Sequence, residues 1–126
     1  MLPTAIQEAE MIQWRTESQL LSAIIRILYP YCKLYRVNVG RMKTPDGRWF
    51  STGVPAGFPD LAGYRKSDGK AVYIECKVKP NKPTEKQLAF IKTAQECGCL
   101  AGVCYTPEDA MRLVIPRIDE NFGLPE

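Results

Sequence analysis

The chain has 126 residues, 45% of them apolar and 25% charged, as is typical of a soluble globular domain with one core. It contains no histidine, which excludes Ser-His and Cys-His mechanisms and leaves carboxylates, lysine or a metal ion to carry any catalysis. No apolar run approaches the length of a membrane span, and the N-terminus lacks the layout of a signal peptide. We therefore expect a single domain over residues 1–126, located in the cytoplasm or at the nucleoid and without a membrane partner.

The cysteines and the distribution of charge give further evidence on the kind of protein and its partners. The odd cysteine count, without a Cys-x-x-Cys pair, indicates reduced thiols in core positions and disfavours a zinc site. The net charge of +3 is only mildly basic, but cations crowd residues 41–48 and 77–92. This distribution fits a polyanionic partner such as nucleic acid, or simply a solvated lysine face. The cysteines are Cys32, Cys76, Cys97, Cys99 and Cys104.

The first predicted element is a helix from about Glu17 to Tyr29, preceded by a possible arm over residues 1–14. Thr16 is a suitable N-cap, Gln19 is its capping-box partner, and Pro30 ends the helix. A stripe at helical spacing is expected to be buried, which indicates an amphipathic helix packed on a core. Its members are Leu20, Leu21, Ile24, Ile25 and Leu28.

Two short strands are predicted next. "KLYRVNV" (33–39) and "RWFS" (48–51) flank the turn signal "TPDGR" (44–48), so we expect them to pair as a hairpin. The following stretch "TGVPAGFPD" (52–60) is rich in Gly and Pro and is expected to be a loop.

A second hairpin joins "DLAGYR" (60–65) to "KAVYIECKV" (70–78) through "KSDG". A second helix is predicted to begin near Thr84, with Gln87 as the capping-box partner, and to stop at Gly98.

The last elements are an apolar strand, "LAGVCY" (100–105), and a short third helix. Thr106 and Pro107 open this helix, with Asp109 as the capping partner, and residues 116–126 form a tail. The order is helix, three or four antiparallel strands, helix, strand, helix. It predicts an α/β fold in which helices pack on a mixed sheet.

Three polar side chains are expected to meet on the second hairpin. Glu75 and Lys77 share one strand face, opposite the apolar alternation of that strand. A four-residue loop over 66–69 would set Asp60 directly opposite Glu75, whereas a two-residue loop would set it opposite Lys77. In both cases Asp60 lies on the same face as the other two. The alternatives are a turn role for Asp60 and an exposed edge strand, but the apolar alternation favours a central strand.

Two carboxylates this close repel each other unless a cation lies between them. Hard oxygen ligands suit Mg²⁺ or Mn²⁺, and the Lys77 ammonium beside such an ion could assist an attacking water and offset phosphate charge. The constellation therefore predicts metal-assisted phosphodiester hydrolysis.

The same residues carry a resemblance. "FPD" (58–60) followed by "IECK" (74–77) resembles the signature of the PD-(D/E)XK nuclease superfamily. Together with "GVPAGFPDLAGY", "YRVNVGRMK" and "PTEKQLAFI", it is similar to the VRR-NUC family of virus-type replication-repair nucleases over about residues 16–106. The resemblance implies a restriction-endonuclease-like mixed β-sheet with an α-β-β-β-α-β core. The resemblance also implies a homodimer that cuts branched DNA, including four-way (Holliday) junctions, as expected of stand-alone microbial and phage members of the family.

Carried over to this chain, the resemblance implies that Asp60 and Glu75 ligate the metal together with the backbone carbonyl of Cys76, and that Lys77 is catalytic. Glu17 and Gln87 would match an acid of the first helix and a glutamine of the helix after the signature. Both have structural alternatives, because a negative charge favours the start of a helix and Gln87 can cap Thr84.

The sequence thus predicts a metal-dependent, structure-selective DNA endonuclease that uses Mg²⁺ or Mn²⁺ and acts on junctions or flaps as a homodimer. The rivals are a sequence-specific restriction-type nuclease, a nucleic-acid-binding module without catalysis, and a purely structural domain. The side chains expected to grip DNA phosphates are Arg41, Lys43, Lys79, Lys82 and Lys86.

Overall fold

The computed structural model describes residues 13–115 of the chain. The predicted tail (116–126) and all but the last two residues of the predicted arm (1–14) lie outside this range. Among the described residues, no helix is long and apolar enough to cross a membrane.

Helix α1 (Glu17–Leu28) begins where the capping residues predict. The Thr16 hydroxyl accepts the backbone N–H of Gln19 at 3.1 Å, and the Gln19 side-chain oxygen accepts the N–H of Thr16 at 3.3 Å. Tyr29, expected in the last turn, is the C-cap. The predicted stripe is correct except that Ile27, and not Ile25, is fully buried.

Six strands and two further helices follow. Four of the strands form one sheet, with neighbours in the order β1-β4-β5-β6. Pairs β1–β4 and β4–β5 are antiparallel, whereas β5–β6 is parallel, with helix α2 in the connection. This confirms the mixed sheet and the α-β-β-β-α-β core. The elements are β1 Cys32–Arg36, β2 Arg41–Lys43, β3 Trp49–Ser51, β4 Leu61–Arg65, β5 Ala71–Cys76, α2 Glu85–Glu96, β6 Leu100–Cys104 and α3 Pro107–Val114.

The predicted pairing of residues 33–39 with residues 48–51 is wrong. The turn at 44–48 does close a hairpin, but the strand that enters it is β2, and β2 and β3 form a separate two-stranded sheet. Strand β1 pairs with β4 instead. The physical reason is Gly40, whose φ of 79° breaks the extended chain between β1 and β2.

The four-stranded sheet is covered on both faces. Alternate residues of β5 and β6 face two different clusters, as a period of two requires. Helices α1 and α3 pack on the face that carries Val72, Ile74 and Cys76. Helix α2 packs on the other face, where Ile91 and Ala94 meet Ala101. Strand β5, with partners on both sides, is therefore a central strand, as its apolar alternation predicts.

The predicted caps of the last two helices are confirmed. The Thr84 hydroxyl accepts the N–H of Gln87 at 3.2 Å, and the Thr106 hydroxyl accepts the N–H of Asp109 at 3.0 Å. Pro107 is the first residue of α3. These caps fix the start of each helix, and α3 begins at Pro107, directly after the carboxyl end of β6 at Cys104.

Candidate active site

The register between β4 and β5 decides which acids meet. Leu61 lies opposite Ile74 and Tyr64 opposite Ala71, so the hairpin closes through the four-residue loop 66–69. The N–H of Arg65 donates to the carbonyl of Lys70 at 2.8 Å at the base of this loop. Of the two alternatives, the one that sets Asp60 opposite Glu75 is therefore correct.

Asp60 is held by its backbone and by its side chain. Its carbonyl accepts the N–H of Val37 at 2.8 Å, which extends the contact between β1 and β4. Its carboxylate Oδ2 accepts the N–H of Cys76 at 2.9 Å. The acid is therefore docked against the end of the strand that carries Glu75, and is not a free turn residue.

The segment before Asp60 is anchored by aromatic packing. The ring of Phe58 contacts the rings of Tyr73 and Phe90, with centroids 5.9 and 5.0 Å away. Tyr73 lies on the same strand face as Glu75, and Phe90 belongs to α2. Sequence reasoning missed this anchor, although Phe58 next to Pro59–Asp60 and the parity of Tyr73 with Glu75 were signals for it.

Glu75 is the feature that gives the site its chemistry. Only 2% of its surface is exposed, and it is the one charged residue among those described that is buried. Its Oε1 accepts no hydrogen bond from a protein donor, its Oε2 lies 3.6 Å from the Nζ of Lys77, and its carboxyl is close enough to that of Asp60 to share a proton with it. A buried carboxylate oxygen that accepts no hydrogen bond from the protein costs free energy unless a water molecule, a proton or a cation contacts it.

Electrostatics make this carboxyl an unusual acid. Burial, and then the negative charge of Asp60, raise the pKa of Glu75 to about 8, although the Lys77 ammonium acts in the opposite direction. Glu75 therefore takes up a proton more readily than an ordinary glutamate unless a further positive charge is present. A bound cation would supply that charge.

The donor set fits a hard divalent cation. The partnerless oxygen of Glu75 and the neighbouring carboxylate of Asp60 are oxygen ligands of the type that Mg²⁺ and Mn²⁺ prefer. Among residues 13–115, no group of three or more His, Cys, Asp or Glu residues could hold a metal by itself. The two carboxylates alone would need water and substrate phosphates to complete the coordination of Mg²⁺.

Glu17 approaches the same end of the sheet from α1. Its Oε2 accepts a hydrogen bond from the Asn81 side chain at 3.3 Å. The pKa of the Cys76 thiol is raised by burial and then by the charges of several groups, Asp60 first and Glu17 among them. Glu17 therefore lies within electrostatic reach of the site, and its role as a metal ligand stays a prediction.

Gln87 is engaged in its helix cap. Its side-chain oxygen accepts the N–H of Thr84 at 2.8 Å, so the structural alternative for this residue is real. A catalytic role for Gln87 stays a prediction.

The predicted phosphate-gripping cations are all exposed, and they lie on two parts of the surface. Lys79, Lys82 and Lys86 follow β5 and begin α2, and the backbone of Lys86 contacts the loop before Asp60 at Gly57. Arg41 and Lys43 belong to the separate hairpin. Their contacts with DNA stay predictions.

The fold and the site together define a class of protein. A mixed sheet flanked by three helices, with an acid of one strand facing an acid and a lysine at the end of the central strand, is a restriction-endonuclease-like nuclease fold. The family described as "VRR-NUC domain" matches residues 3–107, and the chain belongs to this family. Neither the curated proteins nor the solved structures include a significant match.

Membership has direct consequences. A VRR-NUC domain implies a nuclease of the PD-(D/E)XK type with DNA as its substrate, and this superfamily generally uses divalent metal ions.

Proposed function

We propose that the protein is a metal-dependent, structure-selective DNA endonuclease that hydrolyses phosphodiesters in branched DNA, at four-way junctions or flaps. The observation that carries the proposal is the partnerless oxygen of buried Glu75 beside Asp60. Two carboxyl groups in this position either share a proton, as the raised pKa of Glu75 indicates, or give it up to a divalent cation that neutralises both charges.

Asp60, Glu75 and the backbone carbonyl of Cys76 would hold Mg²⁺ or Mn²⁺. Glu17 does not form a three-carboxylate group with them in this structure, and its role as a ligand stays a prediction. A divalent cation at this position would lower the pKa of a water molecule and offset negative charge on a phosphate. The bond from the Cys76 N–H orients the Asp60 carboxylate without any metal.

Lys77 has a separate role. Its ammonium lies 3.6 Å from Glu75, and its side chain is 13% exposed, so it is shielded yet reachable from solvent. It can donate a hydrogen bond to an attacking water or to a phosphate oxygen. Because the chain has no histidine, Lys77 is the residue that we propose for moving or holding a proton in the reaction.

The experiment compares labelled linear duplex, flap and four-way-junction DNA, each in Mg²⁺, Mn²⁺ or EDTA. We expect cutting of junction or flap that requires metal and is lost in Glu75→Ala and Lys77→Ala, while DNA binding is retained. Lys70→Ala, which removes an exposed lysine at the opposite end of β5 from Lys77, is the matched control and should cut like the wild type. Circular dichroism of each variant verifies that it is folded.

Other outcomes identify the rivals. Cutting of plain duplex at one sequence would favour a restriction-type nuclease, and DNA binding without cutting in either metal would favour a binding module. Calorimetric titration with Mn²⁺ adds a readout independent of cutting. Uptake that is lost in Glu75→Ala supports the site, and no uptake in the wild type overturns it.

We further propose that the active species is a homodimer with twofold symmetry. Among residues 13–115 one carboxylate pair of this kind is found, and cutting two strands of a junction needs two. Light scattering with and without junction DNA tests the copy number. A strictly monomeric mass in both conditions would contradict this part of the proposal.

A further inference from the structure

The β2–β3 hairpin exposes large apolar side chains beside cations. All six residues of its two strands are exposed, and the hairpin pairs with no strand of the four-stranded sheet. Exposed side chains of this size usually mark an interaction surface. The apolar members are Met42, Trp49 and Phe50, and the cationic members are Arg41, Lys43 and Arg48.

Hydrogen bonds hold both ends of the hairpin. At its tip the N–H of Thr44 donates to the carbonyl of Arg48 at 2.7 Å, and the N–H of Gly47 donates to the carbonyl of Thr44 at 2.9 Å. At its base the N–H of Gly40 donates to the carbonyl of Val54, and the N–H of Thr52 donates back to Gly40, both at 2.8 Å. The exposed faces are therefore presented on a preformed support, which lowers the ordering cost of binding.

One face of the hairpin combines an aromatic ring with two cations. The register pairs Lys43 with Trp49 and Arg41 with Ser51, so Arg41, Lys43 and Trp49 share this face. The guanidinium carbon of Arg41 and the Nζ of Lys43 lie 5.4 and 5.6 Å from the centre of the Trp49 ring. The tryptophan stays 58% exposed with both cations in place.

We propose that this face, called here the Trp49 face (Arg41, Lys43 and Trp49), binds unpaired bases of branched DNA. A base stacks on the indole ring, and the two cations take the adjoining phosphates. The inference rests on the proposed function and adds a contact that selects branched over continuous duplex DNA. In a continuous duplex the faces of the bases are already stacked on each other, whereas the single-stranded arm of a flap exposes them, so this contact favours flaps over fully paired four-way junctions.

Charge favours a polyanion over a second copy of the chain at this face. The acid of the tip, Asp46, accepts a hydrogen bond from the Arg48 side chain at 3.1 Å and another from the Thr44 hydroxyl. Two further cations remain around the ring. Tryptophan and arginine occur in both kinds of interface, but lysine is depleted in protein–protein interfaces, and aromatic rings flanked by cations are typical of single-stranded nucleic acid sites.

The test measures binding in EDTA, so that cutting plays no part. The probes are a single-stranded oligonucleotide, a flap and a linear duplex of the same length. We expect tryptophan emission to fall on binding single strands and flaps more than on binding duplex, and this difference to vanish in Trp49→Phe. Trp49→Ala should weaken binding to single strands and flaps by at least about 5-fold, and binding to duplex by less.

Tyr29→Ala is the matched control. Tyr29 is 61% exposed and has the Nζ of Lys66 at 4.4 Å from its ring centre, so it is a cation–aromatic pair elsewhere on the surface. The Tyr29→Ala variant should bind all three probes like the wild type. Equal losses in Trp49→Ala and Tyr29→Ala would overturn the proposal. The proposal would also be overturned if Trp49→Ala bound single strands with unchanged affinity but converted a dimer to a monomer. The face would then join two copies of the chain.

The two proposals fail in different ways. If no DNA is cut in Mg²⁺ or Mn²⁺ but Trp49 still stacks on unpaired bases, the nuclease proposal fails and the Trp49 face stands. If Trp49→Ala binds and cuts branched DNA like the wild type, the Trp49 face fails and the nuclease proposal stands.

Discussion

The carboxylate of Asp60 accepts the backbone N–H of Cys76 at 2.9 Å, and this bond joins the start of β4 to the end of β5. It places one acid against the strand position directly between Glu75 and Lys77. Asp60 therefore contributes to the fold and to the candidate chemistry through the same carboxylate. Substitutions that separate the two contributions are the sharpest test of the site.

Asp60→Asn separates them because an amide oxygen can still accept the Cys76 N–H, whereas a neutral amide is a poor ligand for Mg²⁺. We expect the free energy of unfolding in EDTA to stay within about 1 kcal/mol of the wild type. Cutting of branched DNA should fall by at least about 100-fold. Denaturant unfolding and a cleavage assay measure the two effects.

The comparison variant is Asp60→Ala, which removes the acceptor as well as the charge. It should lose cutting to the same extent and also lose about 1–3 kcal/mol of stability, because the Cys76 N–H is left without its partner. Residual cutting by Asp60→Asn near the wild-type rate would contradict the role of the carboxylate.

We expect the free energy of unfolding of the metal-free protein to fall as the pH rises, because of the proton on Glu75. Burial and the charge of Asp60 raise its pKa from 4.5 to about 8, so between these values the folded chain holds a proton that the unfolded chain has released. Rising pH therefore favours unfolding across this window. In Glu75→Gln the slope of unfolding free energy against pH should be shallower, by up to about 1.4 kcal/mol per pH unit.

Denaturant unfolding in EDTA at pH 5, 6.5 and 8 measures this slope. Glu96→Gln, which changes an exposed glutamate of α2, should keep the wild-type slope. At pH 8, Mn²⁺ should stabilise the wild type but not Glu75→Gln, because the ion binds the folded state through this carboxylate. Parallel slopes in all three proteins would show that Glu75 is ionised in the folded chain over the whole range.

Gly57 fixes the loop that delivers Asp60. Its φ is 95°, and a Cβ there would lie 2.9 Å from the Cβ and the carbonyl oxygen of Lys86. Gly57→Ala should therefore destabilise the protein by about 2–3 kcal/mol and lower cutting, because the segment before Asp60 must shift away from α2.

Gly69→Ala is the control for backbone strain alone. Gly69 has a φ of 75°, but nothing lies within 4 Å of the position that a Cβ would take, so its substitution should cost about 1 kcal/mol and leave cutting unchanged. Equal effects of the two substitutions on cutting would show that contact with Lys86 does not position the acid.

Local sequence patterns were sufficient to place Asp60, Glu75 and Lys77 on one face of the sheet. Strand alternation puts Glu75 and Lys77 on one face, and the turn residues of the 66–69 loop restrict Asp60 to the same face. The helix starts were likewise predictable, because a cap depends on side chains only three residues apart.

Long-range pairing was not predictable from such patterns. The partner of β1 is β4, and this contact needs Gly63, since a Cβ there would lie 1.8 Å from the carbonyl oxygen of Lys33. Nothing near Gly63 in the sequence points to a strand thirty residues away. The partnerless oxygen of Glu75 was equally hidden, because burial depends on how α2 and the loop before Asp60 close over the sheet.

The capping role of Gln87 can be separated from its predicted catalytic role by comparison with Gln19, which has the same position in the capping box of α1. Gln19 and Gln87 both close a capping box with a threonine, and a glutamate can do the same. Gln87→Glu and Gln19→Glu should therefore each change the free energy of unfolding by less than about 1 kcal/mol. Only Gln87→Glu should lower cutting of branched DNA, by about 10-fold or more, because the role predicted for Gln87 needs a neutral amide and the variant adds a charge that repels phosphate. If both variants cut like the wild type, Gln87 is a helix cap and nothing more.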